Sequence, residues 1–265
     1  VSVLDRAIAR QQLLRSTDAR ILTIDIETSP MQVWCWQLTG NDFIPPDRII
    51  EPGRVLCFAA KWYGGKSVMF HAEWQEPGPV GMARAAWELL DQADIVVGYN
   101  HRRFDLKWLN TLFLREQWGP PSPFDTIDLL PTMRQTFRFP SNSLDHVSRT
   151  LEIGHKVEHE GFKLWKLVMA GDRAAQRRMR HYNIHDVELT EQVYDEVRPF
   201  IKSHPNVNLH RKERVSACDK CGSDDLERRG YRRLQTGAYA LFRCRTCGGW
   251  SRATHAEERV HRRGA

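Results

Sequence analysis

The chain has 265 residues, 41% of them hydrophobic and 27% charged, with 39 Lys and Arg against 33 Asp and Glu. That length can bury one or two cores, the composition excludes a disordered chain, no apolar run approaches the roughly 18 residues of a bilayer span, and no stretch reads as a secretory signal. Residues 1–197 hold 23 basic and 26 acidic side chains, a balance of −3; residues 198–265 hold 16 and 7, a balance of +9. A slightly acidic body with a basic tail suits an anionic partner and no membrane.

Residues 1–20 read as a polar, Arg-rich helical extension with Leu4, Ile8, Leu13 and Leu14 on one side. Ile21 to Glu27 is strand-like, followed by expected strands over Val33 to Leu38, Val55 to Tyr63 and Lys66 to His71, with Pro45-Pro46 and Pro52-Gly53 marking a loop before Val55. Val80 to Leu90 has helical spacing, and Ile95 to Gly98 is a strand of buried type. Phe104 to Trp118 is amphipathic, with Trp108, Leu109, Leu112 and Phe113 on one face; Phe124 to Leu129 is a short strand. Ser143 to Leu151, Leu164 to Ala170 and Arg173 to Val197 read as helices. This order predicts an α/β fold over residues 21–200, a mixed β-sheet flanked by helices. A linker over 201–214 and a small module over 215–265 follow.

That module holds Cys218, Cys221, Cys244 and Cys247, two C-x2-C pairs. Four thiolates so spaced suit one structural zinc ion, and two disulfides are the competing reading. The stretch between them predicts a hairpin: Tyr231 to Leu234, a turn at Thr236-Gly237, then Tyr239 to Arg243. The module resembles a zinc ribbon of nucleic-acid enzymes. Arg228, Arg229, Arg232, Arg233, Arg243, Arg245 and Arg252 are interleaved with Tyr231, Tyr239, Phe242 and Trp250, which pairs phosphate neutralisation with stacking faces.

Four carboxylates stand out in the body. In Ile21-Leu22-Thr23-Ile24-Asp25-Ile26-Glu27-Thr28, strand alternation puts Asp25 and Glu27 on one face and Leu22, Ile24 and Ile26 on the other. Two aligned acids repel, and a divalent cation between them relieves the conflict; a solvent-facing sheet surface explains them equally. Asp105 follows a buried-type strand near a helix start, where the helix N-terminus also stabilises an acid. Tyr182 and Asp186 are i and i+4 on a late helix, where an exposed acid beside a core Tyr is the plain alternative.

In this order, D-I-E-T, N-x3-F-D and Y-x3-D resemble the motifs of the DEDD exonucleases, the DnaQ-like branch of the RNase H-like superfamily. The resemblance covers roughly residues 20–200, and Ser143-Leu144-Asp145-His146-Val147 followed by Leu151-Glu152-Ile153-Gly154 is similar to the family's helix before its third motif. It implies two Mg2+ or Mn2+ ions. Asp25, Glu27 and Asp186 would hold the first, and Asp25 would bridge to a second that Asp105 helps to hold. It also implies a metal-dependent 3′→5′ exonuclease hydrolysing DNA phosphodiesters. An RNase H-like ribonuclease or a structure-specific endonuclease with the same carboxylates is the alternative. In that family either a Tyr four residues before the last Asp or a His five before it positions the attacking water. The chain offers Tyr182 and His181; Y-N-x-x-D-V favours Tyr182, and His185 reads as a surface or packing histidine. Thr28, Asn100 and Phe104 are expected to contact substrate. The expected partner is a single-stranded DNA 3′ end, with a separate polymerase or replication protein supplying any proofreading context. The expected location is cytoplasmic, in a bacterium or a phage-infected host.

Overall fold

The computed structural model describes residues 18–40, 43–212 and 216–259. The helix expected over residues 1–20 lies outside these, save for residues 18–20, which take no regular structure. The chain divides into two compact units, Leu22–Glu191 and one that takes residues from Gln192 onward.

The first unit is built on a five-stranded sheet of order β5-β4-β1-β6-β7. Its strands are β1 (Ile21–Thr28), β4 (Val55–Trp62), β5 (Met69–Ala72), β6 (Ile95–Gly98) and β7 (Asp125–Asp128). β1 and β4 pair antiparallel, as do β4 and β5, whereas β6 and β7 are parallel, so the sheet is mixed as expected. Helices α1 (Gly78–Asp91) and α2 (Asp105–Arg115) precede and follow β6; α3 (Leu129–Thr136) and α4 (Leu144–Thr150) come after β7, and α5 (Phe162–Met169) and α6 (Arg173–Val197) close the order.

The pleat decides where the acids go. Ile24 pairs with Ala60 and Ile26 with Phe58, and with Leu22 these side chains pack against Met82, Ala86 and Leu90 of α1 and Leu109 and Phe113 of α2. Each such side chain, fully buried, contributes about 1.5–3 kcal/mol. The opposite face of β1 presents Thr23, Asp25 and Glu27, the last two opposite Ala59 and Cys57. On that side Cys57 and Ala72 pack with Leu164 and Val168 of α5 and Ala175, Met179 and Tyr182 of α6. Lys61, opposite Thr23, binds Glu191 of α6 at 2.8 Å in a buried ion pair.

Two expectations differ. The strand over Val33 to Leu38 shrinks to β2 (Gln32–Val33), paired with β3 (Ile49–Glu51) in a separate two-stranded ribbon. Trp34, Trp36 and Leu38 are 72%, 91% and 96% exposed. Aromatic β-propensity reflects a half-buried pleated surface, and these residues have none to cover. Helix α3 was not expected after β7. Asp128 starts it by accepting the Leu130 N–H, and Pro131 is tolerated in its first turn.

In the second unit β8 (Leu226–Leu234) and β9 (Gly237–Cys244) form a hairpin, with β10 (Trp250–Arg252) and β11 (Glu258–Arg259) on the far side of β9. The turn is Gln235-Thr236, one residue earlier than expected, and Gly237 already belongs to the strand. A Cβ on Gly237 would lie 2.1 Å from the Glu258 carbonyl, so glycine admits the close approach of β11. The stretch after α6 is hydrogen-bonded to the first cysteine pair. The Val207 N–H donates to the Asp219 carbonyl at 2.9 Å, and the Asn208 amide donates to the Ala217 and Cys218 carbonyls.

Candidate active site

β1 and α6 bring three carboxylates together. Oxygens of Asp25, Glu27 and Asp186 lie within 4.8 Å of one another. On the same face Cys57 and Ala72 pack under α5 and α6, and Asp25 and Glu27 are half-buried, so the pair does not lie on an open, solvent-facing sheet. The i, i+4 spacing on α6 puts Tyr182 beside Asp186, both buried. Asp105, the first residue of α2, is 3% exposed, and its Oδ1 accepts the N–H of Ile26, between the two β1 acids, at 3.0 Å. It is adjacent to the three-carboxylate group but not part of it.

Burial and the neighbouring acids raise the pKa of Asp25 and Glu27, and burial that of Asp105. Glu27 is pushed up to about 8 by burial and then by Asp186, with Lys156 acting against them. Asp25 is held well above the usual carboxylate range by burial, then by Asp105, Glu27 and Asp186. Burial lifts Asp105 to about 7 against the lowering effect of the Ile26 N–H. Ionised together, these groups require a cation.

Lys156 and Asn183 belong to this site and were not expected there. The Lys156 ammonium donates to Asp186 Oδ2 and, at 3.0 Å, to the Tyr182 hydroxyl. Burial alone would lower its pKa, but Asp186 and Tyr182 outweigh burial and raise it. The Asn183 amide donates to Asp25 Oδ2 at 2.7 Å and to the Asp25 carbonyl at 3.2 Å, which fixes that carboxylate. Asn183 had a signal, since i, i+3 places it on the Asp186 side of the helix. Lys156 had none, because it comes from an irregular loop between α4 and α5.

The remaining expected residues are spread more widely. Tyr182 is buried and its ring meets His159 and Trp165 edge-on, whereas His181 is exposed. His181 lines a cavity of about 470 Å3 beside Tyr182, with Val157, His159, Arg177 and Arg178. No histidine nitrogen joins the three-carboxylate group among the described residues. His185 is half-buried and pairs with the His155 carbonyl at 2.8 Å, a packing role. Thr28 ends β1 at a register shift. Asn100 sits at φ +68°, and its N–H donates to Asp128 at 2.8 Å. Phe104 is 40% exposed, edge-on to Trp108.

Both metal sites pass a test of fit. Asp186 Oδ1 is buried with no hydrogen-bond partner, an acceptor left over in a cluster of hard oxygen donors. Such a set suits Mg2+ or Mn2+. In the second unit the four cysteine sulfurs lie within 4.8 Å of one another. The Cys218–Cys247 and Cys221–Cys244 sulfurs are each 3.6 Å apart. That matches sulfurs on one tetrahedral ion with bonds of about 2.3 Å and not a disulfide of about 2.05 Å. The Gly249 N–H supports Cys247 Sγ at 3.3 Å.

The model of a family described as RNase_H superfamily matches residues 50–198, a stretch holding Asp105, Tyr182 and Asp186. The chain belongs to the RNase H superfamily, a fold group with nuclease members. It is also similar to the family B DNA polymerase from the hyperthermophilic archaeon Pyrobaculum calidifontis. That likeness has a TM-score of 0.50 and 18% identity, and it covers 72% of this chain and 25% of the polymerase. The chain thus spans about a quarter of that polymerase's length, and at this identity the likeness is one of fold. No curated protein matches the chain. No helix among the described residues is long and apolar enough to cross a membrane.

Proposed function

We propose that the chain is a metal-dependent 3′→5′ exonuclease of DEDD type that hydrolyses DNA phosphodiesters, with its C-terminal ribbon holding nucleic acid. One observation carries this reading: three carboxylates from β1 and α6, Asp186 buried and Asp25 and Glu27 half-buried, converge within 4.8 Å, with Tyr182 and Lys156 alongside. Asp25, Glu27 and Asp186 would hold one Mg2+ or Mn2+, and Asp25 with Asp105 a second. Metal in such a site supplies hydroxide near neutral pH and stabilises the oxyanion of the leaving group.

The protein's own groups do the rest. Asn183 fixes the Asp25 carboxylate. The Tyr182 hydroxyl, held by Lys156, orients the attacking water. As a phenol raised by burial and by Asp186 it does not serve as a base. Lys156 keeps positive charge beside Asp186 and the incoming phosphate. Thr28, Asn100 and Phe104 would meet the terminal nucleotide, Phe104 by stacking from an exposed ring. Cys218, Cys221, Cys244 and Cys247 would hold one Zn2+ that ties the hairpin to the chain before it. The partner is a DNA 3′ end in a bacterial or phage setting, with a separate polymerase or replication protein where proofreading is required.

End-labelled DNA and RNA ladders with Mg2+ or Mn2+ test this. Single nucleotides released from the 3′ end, with DNA degraded faster than RNA and activity abolished by Asp25→Ala, are the expected result. Internal fragments from the outset would replace the exonuclease with the endonuclease alternative, and RNA degraded in preference to DNA with the ribonuclease. Metal-dependent hydrolysis surviving Asp25→Ala would remove the site assignment.

A further inference from the structure

The ribbon's arginines are not equivalent. Directly opposed residues of antiparallel strands share a face, and successive residues alternate. Tyr239 stands opposite Arg232, Leu241 opposite Arg252, and Arg243 between Glu227 and Trp250. Arg232, Arg243, Arg252, Tyr239 and Trp250 therefore share one face of the sheet. Arg228, Tyr231 and Arg233 oppose Phe242, Ala240 and Ala238 on the other.

Ion pairing separates them further. Arg228 binds Glu257 at 2.6 Å, Arg229 binds Glu227 at 3.0 Å, and Arg245 lies 3.6 Å from Asp225. Among the described residues Arg232, Arg243 and Arg252 have no carboxylate partner. Glu227, the acid on their face, is already engaged by Arg229 and Arg245. The Arg252 guanidinium lies 4.8 Å over the Tyr239 ring, and Trp250 is 49% exposed. Among the described residues the other face has one arginine without a carboxylate partner, Arg233, next to the hairpin tip.

We infer that this face takes single-stranded nucleic acid, with the three free guanidiniums on phosphates and Trp250 and Tyr239 against bases. The inference rests on the reading of the ribbon as a nucleic-acid-binding module. Among the described residues the unpaired arginines on one face, Arg232, Arg243 and Arg252 with Arg259 at its edge, complement a polyanion, and arginine beside an aromatic ring is the pairing that holds strand and base together. The strand is single because an exposed indole can stack only on a base whose face is free.

The test uses the full chain carrying Asp186→Asn to block hydrolysis, with fluorescence anisotropy of a short labelled DNA strand and its duplex across a salt series. Zinc content and circular dichroism verify each variant. Arg232→Ala with Arg243→Ala and Arg252→Ala removes three phosphate contacts, so the slope of log affinity against log salt flattens by about 2 for single strands. Trp250→Ala weakens single-strand binding by about tenfold or more and leaves duplex binding little changed. Arg228→Ala with Arg229→Ala and Arg245→Ala leaves the slope nearly unaltered. If this second set flattens the slope and the first does not, the face is wrong while the ribbon still binds nucleic acid. If neither set changes affinity, the reading of the ribbon itself fails. Equal losses for strand and duplex on Trp250→Ala overturn the single-strand specificity.

Discussion

Glu27→Gln should stabilise the protein in the absence of divalent metal and abolish its activity with metal. Glu27 sits on β1 with Asp25 beside it and Asp186 facing it, and its pKa is about 8 instead of 4.5. The unfolded chain leaves Glu27 ionised at pH 7, whereas the folded chain must hold it protonated. That difference, at 1.36 kcal/mol per pKa unit, opposes folding at pH 7 by about 3 kcal/mol. Asp25, itself raised, competes for the same proton, so the gain from a neutral amide is about 2–3 kcal/mol. For a chain of this size it corresponds to a rise in Tm of roughly 4–12 °C. The sign also fixes a pH dependence. A carboxyl raised in the folded state contributes fully below its unfolded pKa, and the contribution is lost as pH rises through the folded one. Wild-type Tm should therefore fall between about pH 5 and pH 8, and the variant should fall less. Added Mg2+ should restore wild type at pH 8 and do little for the variant. Thermal unfolding in dialysed buffer, without a chelator that would also strip the cysteine site, measures all of this. A variant that melts lower than wild type at pH 8, or a wild-type Tm that is flat across the window, would refute the reasoning.

Lys156→Ala removes the cation that lowers both Asp25 and Glu27. The acid limb of the rate–pH profile should move to higher pH, with activity at neutrality down by about tenfold or more; a profile that keeps its shape argues that Lys156 only packs. Tyr182→Phe should lower kcat by about 10- to 100-fold with the fold intact, while His181→Ala, on an exposed position, should change it by less than about threefold. The reverse ranking would give the water-positioning role to His181. One zinc per chain is expected by elemental analysis, and Cys221→Ser should lose it, with opening of the second unit seen as rapid amide exchange over residues 216–259. Full zinc retention in that variant would place the metal elsewhere.

Most of the site was legible because its logic is local. Period-2 alternation alone sent Asp25 and Glu27 to one side of β1 and Leu22, Ile24 and Ile26 to the other, and the structure keeps that division. The i, i+4 pair on α6 likewise needed only helical geometry. What the sequence hid depends on tertiary proximity. Lys156 arrives from a loop whose residues carry no periodic pattern, and it reaches Asp186 across 30 residues of chain. Helix α3 was missed because its start depends on Asp128 serving twice, as a strand residue and as a cap. The strand after Val33 is shorter than its aromatic residues suggest, because Trp34 and Trp36 sit in solvent. The hairpin turn slipped by one because Gly237 looked like a turn residue and is needed instead for the approach of a strand that is distant in sequence.

The charge division seen in the sequence acquires a physical meaning from these placements. Part of the acidic excess of residues 1–197 sits in one largely desolvated cluster, where it opposes folding unless a proton, Lys156 or a metal offsets it. The basic excess of the tail is likewise divided, with some arginines neutralised by Glu227, Glu257 and Asp225 and others left free on one face. Charge that the fold has already paired contributes little to binding, because its partner must be displaced first. On the proposed function, the residues of interest are those whose charge the fold leaves at most partly compensated: Asp25, Glu27 and Asp186, and Arg232, Arg243 and Arg252. Opposite in sign, the two sets would on that reading meet one nucleic acid in different ways, the carboxylates through metal ions and the arginines directly.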